Sequence, residues 1–279
     1  MGRRRAALLL LATASLLLEG LACSPDGAKS HYILAEKLWM DAKYAPAVTE
    51  FEKTWSKDQK GELGRQALLR AATTQAVFLS KYDEAIQKFQ EYAAVSGNTP
   101  GAWNAQKQIG EILFSQKEKY DEAIVQYQKM IKERPSAPEV PKFLYRIGKG
   151  QFYLWRFDEA IKTYDEIIQK DPSSEWAEKA AFEEGLTWFT RGEPHPEGRD
   201  PGIQDYKKAL DAYKRFLEKY PNSKDAPRAK FGIAACLEEL DQLDAAYHAF
   251  EELRQNYPDP RVIEIKLARI REREMQKNR

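Results

Sequence analysis

Bulky apolar residues and alanines recur along the chain at fixed offsets that match one face of an α-helix. An aromatic residue, or a leucine in the last instance, is followed three residues later by alanine and seven residues later by a second aromatic residue. Offsets of three and seven share one helical face, so each of these segments is predicted to be an amphipathic helix. The first residues of the six segments, called the anchors below, are Tyr44, Tyr82, Tyr120, Phe157, Tyr206 and Leu243.

A longer string around three anchors shows that the pattern is a repeat. The string YDEAI begins at Tyr82 and at Tyr120, and FDEAI begins at Phe157, at spacings of 38 and 37 residues. A period of ~20–50 residues indicates a stack of small units rather than one closed core. A small residue upstream of each anchor predicts a preceding helix, and a proline fifteen residues after four anchors is expected to end one helix and begin the next. The predicted fold class is therefore all-α, an α-solenoid of about six helix-turn-helix repeats.

The combination of small residue, anchor, alanine, second aromatic residue and proline resembles the tetratricopeptide repeat (TPR). The resemblance covers residues 29–260. Residues 261–279 are predicted to form a C-terminal capping helix, because a repeat stack needs a largely polar outer face at its end. By this resemblance, the first helix of each repeat lines a concave surface that binds other polypeptides.

The positions that line this surface in TPR proteins carry mainly aromatic residues here, with lysines and arginines between them. Aromatic residues and arginine are typical of binding hot spots, so a partner segment with aromatic and acidic side chains is expected. Some of these aromatic residues are expected to pack between helices instead. Phe78, Phe114, Tyr145, Phe152 and Phe189 are predicted to be exposed. The full predicted partner-binding groove consists of Tyr32, Trp39, Phe78, Phe114, Tyr145, Phe152, Tyr153, Phe182, Phe189 and Phe231.

The chain begins with a basic segment that is followed by a largely apolar run of 13 residues at positions 6–18. This arrangement is typical of a secretory signal peptide, here predicted at residues 1–22, and the apolar run is shorter than the ~20 residues that span a membrane. A small residue followed by Cys23 resembles the processing site of bacterial lipoproteins. The resemblance implies lipidation of Cys23 and a lipidated N-terminal linker at 23–28.

Ser24, which follows the cysteine, suggests by the same resemblance a lipid anchor at the periplasmic face of the outer membrane. The triplet Gly20-Leu21-Ala22 also fits an ordinary cleavage site, so simple secretion remains the alternative.

One unit contains an insertion at 190–204 that is rich in proline and glycine and is predicted to be an irregular surface loop. The segment from Gly185-Leu186-Thr187 through this insertion to Tyr220-Pro221-Asn222-Ser223 resembles the BamD family of outer-membrane β-barrel assembly lipoproteins. This resemblance implies a role in outer-membrane protein assembly, with the barrel-assembly machinery and unfolded outer-membrane protein segments as partners. A CpoB-like coordinator of the Tol–Pal system, or a scaffold or pilotin of a secretion, pilus or motility apparatus, is the alternative.

Charge and histidine content argue against other classes of function. The formal net charge is +1, so no nucleic-acid partner is expected. The three histidines, His31, His195 and His248, lie in different repeats without a metal-ligand spacing or a catalytic motif. We therefore expect no enzyme activity, no catalytic residues, no metal and no cofactor. Cys236, within an apolar segment, is expected to be a small buried residue.

Overall fold

The computed structural model describes residues 25–194 and 202–277. Over these two ranges the chain forms thirteen α-helices and no β-strand, which confirms the all-α, TPR-type fold class. The chain divides into two compact units, Met1–Lys117 and Glu118–Arg279.

Several predictions fall on residues that the structure does not describe. The signal peptide at 1–22, the lipidated Cys23 and the loop histidine His195 all lie outside the described residues. The predicted linker at 23–28 overlaps the first described helix, which begins at Pro25.

The first unit contains two helical pairs and the first helix of a third pair. Its helices are α1 (Pro25–Met40), α2 (Tyr44–Lys57), α3 (Glu62–Phe78), α4 (Tyr82–Ser96) and α5 (Pro100–Ser115). Each helix packs against the next one along the chain. One core cluster joins α1, α2 and α3 through Ala35, Ala47, Phe51, Ala67 and Ala71, all of them fully buried.

The second unit contains eight helices. They are α6 (Tyr120–Glu133), α7 (Val140–Tyr153), α8 (Phe157–Lys170), α9 (Glu175–Gly192), α10 (Ile203–Lys219), α11 (Ala226–Glu239), α12 (Leu243–Leu253) and α13 (Pro260–Lys277). Sequential helices again pack together, and α9 also contacts α7 and α11. The predicted capping helix corresponds to α13, which buries Ile263, Leu267 and Ile270.

The anchor pattern predicts both the start and the buried face of the second helix in each pair. Five anchors are the first residues of α2, α4, α6, α8 and α12. The exception is Tyr206, the fourth residue of α10, because that helix begins within the predicted insertion at Ile203. The alanines that follow all six anchors are fully buried: Ala47, Ala85, Ala123, Ala160, Ala209 and Ala246.

Close contact between neighbouring helices explains why glycine occupies several inner positions. A Cβ atom at Gly148 of α7 would lie 2.5 Å from Cε1 of Tyr164 in α8. The ring of Tyr213 in α10 lies between Gly185 and Gly232, where added Cβ atoms would approach it to 2.8 and 2.4 Å. Real Cβ contacts are not that short, so a larger residue would force these helices apart.

The turn within most pairs has the same backbone conformation. Two residues before five of the anchors, a residue other than glycine adopts a positive φ angle between 51° and 62°. In the first pair Lys43 N–H donates to the Leu38 carbonyl and Ala42 N–H donates to that of Trp39, which is the Schellman pattern. The five residues are Ala42, Ser80, Glu118, Trp155 and Asp241.

The expected role of the spaced prolines is only half correct. Pro135, Pro172 and Pro221 each follow the end of a helix by two residues, as predicted. They do not begin the next helix, however, because an extra turn intervenes. After Pro135 this turn is closed by a hydrogen bond from Val140 N–H to the Ala137 carbonyl.

Candidate partner-binding groove

The second unit contains a groove of about 340 Å³ between α9, α11 and α13. Three predicted groove residues, Phe182, Phe189 and Phe231, line it together. The two helices α9 and α11 are the first helices of neighbouring repeats, which is the surface that the TPR resemblance implies. The structure thus brings together three aromatic residues that are 49 positions apart at most.

The groove aromatics pack against rings from α10, from α12 and from the segment between α12 and α13. Phe189 packs on Tyr206 with ring centroids 5.4 Å apart. Phe231 stacks on Tyr257 at 5.1 Å, and meets Phe250 edge-on at 5.2 Å. Phe189 and Phe231 remain half-buried, so part of each ring lines open space. Rigid, partly exposed aromatic rings of this kind are suited to holding an apolar side chain of a partner.

Basic side chains surround these rings. The Arg228 guanidinium lies 4.4 Å from the centroid of the Phe182 ring, a cation–π arrangement. Lys266 and Arg269 of α13 also line the groove, and both donate hydrogen bonds to the Glu238 carboxylate, whose side chain is fully buried. Glu193 and Glu239 lie on the same lining, so the groove carries charges of both signs.

Sequence reasoning missed the contribution of α13 to this groove. The helix was predicted only as a cap with a polar outer face. In the structure Ile263, Leu267 and Ile270 are buried, and their helical spacing places Lys266 and Arg269 beside the buried face, next to α11. The signal was therefore present, but the helix has no anchor and no place in the repeat register.

Three more predicted groove residues lie on α7, where each already contacts neighbouring side chains. The Tyr145 hydroxyl donates to Glu183 at 3.1 Å, and Lys149 Nζ donates to the same carboxylate at 3.0 Å. Lys149 also lies over the rings of Phe152 and Tyr153, at 5.5 and 5.1 Å. Burial and the neighbouring Glu183 charge raise the pKa of Tyr145, which keeps its hydroxyl protonated as a donor.

Tyr32, Trp39 and Phe78 lie in the first unit. The Trp39 ring meets Phe78 edge-on at 5.6 Å and carries the Arg70 guanidinium 4.4 Å from its centroid. Arg70 is fixed by two hydrogen bonds to the Glu36 carboxylate, each 2.9 Å long. Tyr32 packs edge-on against Phe51 at 5.7 Å. Among these residues Phe78 is the exposed one, as predicted.

Phe114 and Phe182 are more buried than a groove residue should be. Phe114 is 7% exposed, so the prediction that it is exposed is wrong. It follows buried Gly110 by one helical turn and therefore lies on the packed face of α5. Phe182, 4% exposed, packs on Tyr213 and Phe216 and leaves little of its ring open to the groove. Tyr145, Phe152 and Phe189, also predicted to be exposed, are half-buried.

Other chemical candidates in the described part of the chain do not form a site. Residues 25–194 and 202–277 contain no cluster of three side chains that could hold a metal ion. Cys236 is fully buried as expected, and burial raises the pKa of its thiol to about 12. Within these same ranges none of the helices combines the length and the apolar character needed to cross a bilayer.

Paired helices with buried alanines and a groove between first helices define a tetratricopeptide repeat protein. A family model described as tetratricopeptide repeat matches residues 74–138. A second model, described as YfiO, outer membrane lipoprotein, matches residues 114–258, slightly more than half of the chain. The chain therefore belongs to the YfiO family of outer membrane lipoproteins.

Solved structures share the fold at low sequence identity. PilW, described as a widely conserved type IV pilus biogenesis factor, is 16% identical with a TM-score of 0.52, covering 87% of this chain and 97% of PilW. The C-terminal part of a TPR repeat-containing protein from Cytophaga hutchinsonii is 20% identical with a TM-score of 0.56, covering 80% of this chain and 78% of that one. A comparison with curated protein sequences returns no significant match. These likenesses establish the fold alone.

Proposed function

We propose that this protein is a non-enzymatic scaffold, lipid-anchored at the periplasmic face of the outer membrane, that binds partner polypeptides during assembly of outer-membrane proteins. The observation that carries the proposal is the groove of about 340 Å³ on α9, α11 and α13, whose α9 and α11 walls lie within the segment that matches the outer membrane lipoprotein family. TPR and YfiO-type proteins are generally scaffolds rather than enzymes.

The chemistry of the groove defines the kind of segment that it binds. Half-buried Phe189 and Phe231 offer apolar surface, and Arg228 lies at the same wall. A partner segment with an aromatic or aliphatic side chain and a nearby carboxylate would satisfy both features. Within the family resemblance, an unfolded outer-membrane protein segment or a component of the barrel-assembly machinery is the leading partner.

The membrane attachment depends on Cys23, which lies outside the described residues. Membership of a family of outer membrane lipoproteins supports acylation of this cysteine. Mass spectrometry of the mature N-terminus is the direct measurement. An acylated cysteine at the first position is expected, and an unmodified thiol would leave only simple secretion.

Co-purification from cross-linked membranes tests the binding function. Recovery of a barrel-assembly protein is expected. A scaffold for pilus assembly is the second candidate, because the fold is shared with PilW, and recovery of a secretin or of a Tol–Pal component instead would favour the alternatives.

The groove is tested by the double variant Phe189→Ala/Phe231→Ala. Loss of one hot-spot side chain typically costs ~2 kcal/mol or more of binding free energy, which is about 30-fold in affinity. The double variant is therefore expected to weaken partner capture by at least about 30-fold. Trp155→Ala is the matched control, since it removes an exposed aromatic ring at a turn away from the groove lining. Circular dichroism must show unchanged helicity. If capture were equal in all three proteins, this groove would not be the binding site.

A further inference from the structure

The first described helix carries an unusual outer face. Lys29, Ile33, Lys37 and Met40 are spaced three or four residues apart and are all exposed, with Ile33 at 59% and Met40 at 76%. Leu34 lies at the edge of this stripe and is 44% exposed. These five residues are called the α1 outer face below. It combines three apolar side chains with two lysines.

This stripe points away from the protein core. The buried residues of α1 are Ala28 and Ala35, which lie on the opposite side of the helix from Ile33. Ala35 belongs to the core cluster with Phe51 and Ala71, so α2 and α3 pack on that opposite side. Nothing in the described part of the first unit covers the α1 outer face.

The helix at the other end of the chain shows what a solvated terminal face looks like. On α13 the two exposed apolar residues, Ile265 and Met275, are ten positions apart. They are accompanied by exposed charges of both signs, Arg261, Glu264 and Glu272. Terminal helices of repeat stacks need such polar outer faces for solubility. The α1 outer face departs from this rule, because it groups three exposed apolar side chains with two lysines.

The sequence places this face next to the predicted anchor. Only Ser24 separates Cys23 from Pro25, where α1 begins. Two residue steps span at most about 7 Å, so an acyl group on Cys23 would hold the start of α1 at the membrane surface. The helix is 16 residues or about 24 Å long, and its remaining length can then lie along the lipid headgroups.

We propose that the α1 outer face docks on the surface of an anionic lipid bilayer. The proposal extends the lipid anchor described under the proposed function, and names the bilayer itself as the occupant of this face. Apolar side chains at the stripe centre enter the headgroup boundary, while the two lysines contact lipid phosphates, as in interfacial amphipathic helices. Each lysine near an anionic surface strengthens attachment about fivefold. A tether makes this weak contact intramolecular, so modest affinity is enough.

Amine footprinting on vesicles tests the proposal without depending on acylation in the cell. The mature chain is coupled through Cys23 to a maleimide phospholipid in vesicles of phosphatidylethanolamine and phosphatidylglycerol. Coupling is selective, because the other cysteine, Cys236, is fully buried. Acetylation of each lysine is then measured by mass spectrometry for the tethered and the free chain. Lys132 and Lys214, which are exposed on other helices, serve as reference amines.

Acetylation of Lys29 and Lys37 is expected to fall about fivefold or more on the vesicles, while the two reference lysines change little. The variant Ile33→Glu/Leu34→Glu should restore their reactivity, and so should vesicles of phosphatidylcholine alone at high salt. The matched control Val125→Glu alters a residue of similar exposure, 65%, on α6 and should leave the protection unchanged.

Unchanged reactivity of Lys29 and Lys37 on the vesicles would overturn the proposal, as would equal protection of all four lysines. Self-association of the free chain that is lost in Ile33→Glu/Leu34→Glu would show that a second copy covers this face instead. The coupling supplies the tether in every case, so failure here is distinct from failure of natural acylation at Cys23. That second question is decided by the mass of the mature N-terminus.

Discussion

Asp83 and Lys117 form an ion pair that joins one repeat to the next, 34 residues later. Asp83 is the second residue of the recurring string, and the neighbouring Tyr82 hydroxyl donates to Gln116 at 3.0 Å. In the second unit the equivalent Asp121 pairs with Arg156 at 2.8 Å, and Asp158 pairs with Arg191. The recurring string is therefore both the start of a helix and a contact point for the turn of the following repeat.

The first prediction concerns the strength of these links. Asp121→Asn should cost only about 0.5–1 kcal/mol of unfolding free energy, because both partners are largely exposed and the lost charge also lies at a helix N-terminus. Urea unfolding at low salt measures the effect, and about 0.5 M salt should reduce it. Glu166→Gln, an exposed acid in the middle of α8, is the control and should be neutral within about 0.5 kcal/mol. A loss above about 3 kcal/mol for Asp121→Asn would contradict this account of the link.

The repeat framework could be predicted from sequence because the same residue types recur at the same offsets in each repeat. Tyr44 and Ala47 predict a helix start and a buried close contact, and the same offsets recur six times. The exposure of Phe114 could not be read in this way, since a repeat position assigns a helix face and not the depth of packing. The contacts of Glu238 with Lys266 and Arg269 were also missed, because they join a repeat to a helix without a repeat signature.

The second prediction tests the close approach of α7 and α8. Gly148→Ala should destabilise the protein by about 1–3 kcal/mol, because the new methyl group would overlap the buried ring of Tyr164. Gly27→Ala is the matched control within a helix, since its methyl group would meet only the flexible end of Lys57 at 3.4 Å. That control should be neutral or stabilising by up to about 1 kcal/mol. Thermal and urea unfolding of both variants give the comparison, and equal effects would argue against the contact.

The third prediction concerns the left-handed turn residues. Ala42 is exposed and has a φ angle of 58°, a conformation that costs an alanine roughly 1 kcal/mol relative to glycine. Ala42→Gly is therefore expected to raise the unfolding free energy by up to about 1 kcal/mol. Ala94→Gly, at an exposed position inside α4, should lower it by about 0.5–1 kcal/mol. The same substitution is thus expected to change the unfolding free energy in opposite directions at the two sites. A loss of stability in Ala42→Gly would show that this turn is not strained.

The last prediction uses two buried glutamates whose pKa values shift in opposite directions. Burial alone would raise the pKa of Glu238, but hydrogen bonds from Arg269 and Lys266 outweigh it and hold the pKa below its usual value. Burial raises the pKa of Glu184, and the nearby Arg215 charge only partly offsets this. Ionised Glu238 therefore favours the folded state, whereas ionised Glu184 opposes it.

The sign of each pH dependence follows from linkage. The contribution of ionised Glu238 to the free energy of unfolding is fully present above the unfolded-state pKa, near 4.3. It is lost as the pH falls through the lower folded-state pKa. Glu238→Gln should therefore cost about 3 kcal/mol at pH 7, because it leaves two cations of the α11–α13 contact without their carboxylate, and it should cost less at pH 3. Hydrogen exchange should show α13 opening first in this variant.

Glu184 behaves in the opposite sense. The contribution of protonated Glu184 to the free energy of unfolding is present below the unfolded-state pKa. It is lost as the pH rises through the raised folded-state pKa. Glu184→Gln should therefore be neutral or stabilising by about 1 kcal/mol at pH 7, since the amide oxygen can still accept the 2.8 Å hydrogen bond from Arg215. Urea unfolding of both variants between pH 3 and pH 8 gives the two curves. Parallel curves, with the same sign of change at pH 7, would show that the balance between burial and ion pairing at these two carboxylates is not as the structure indicates.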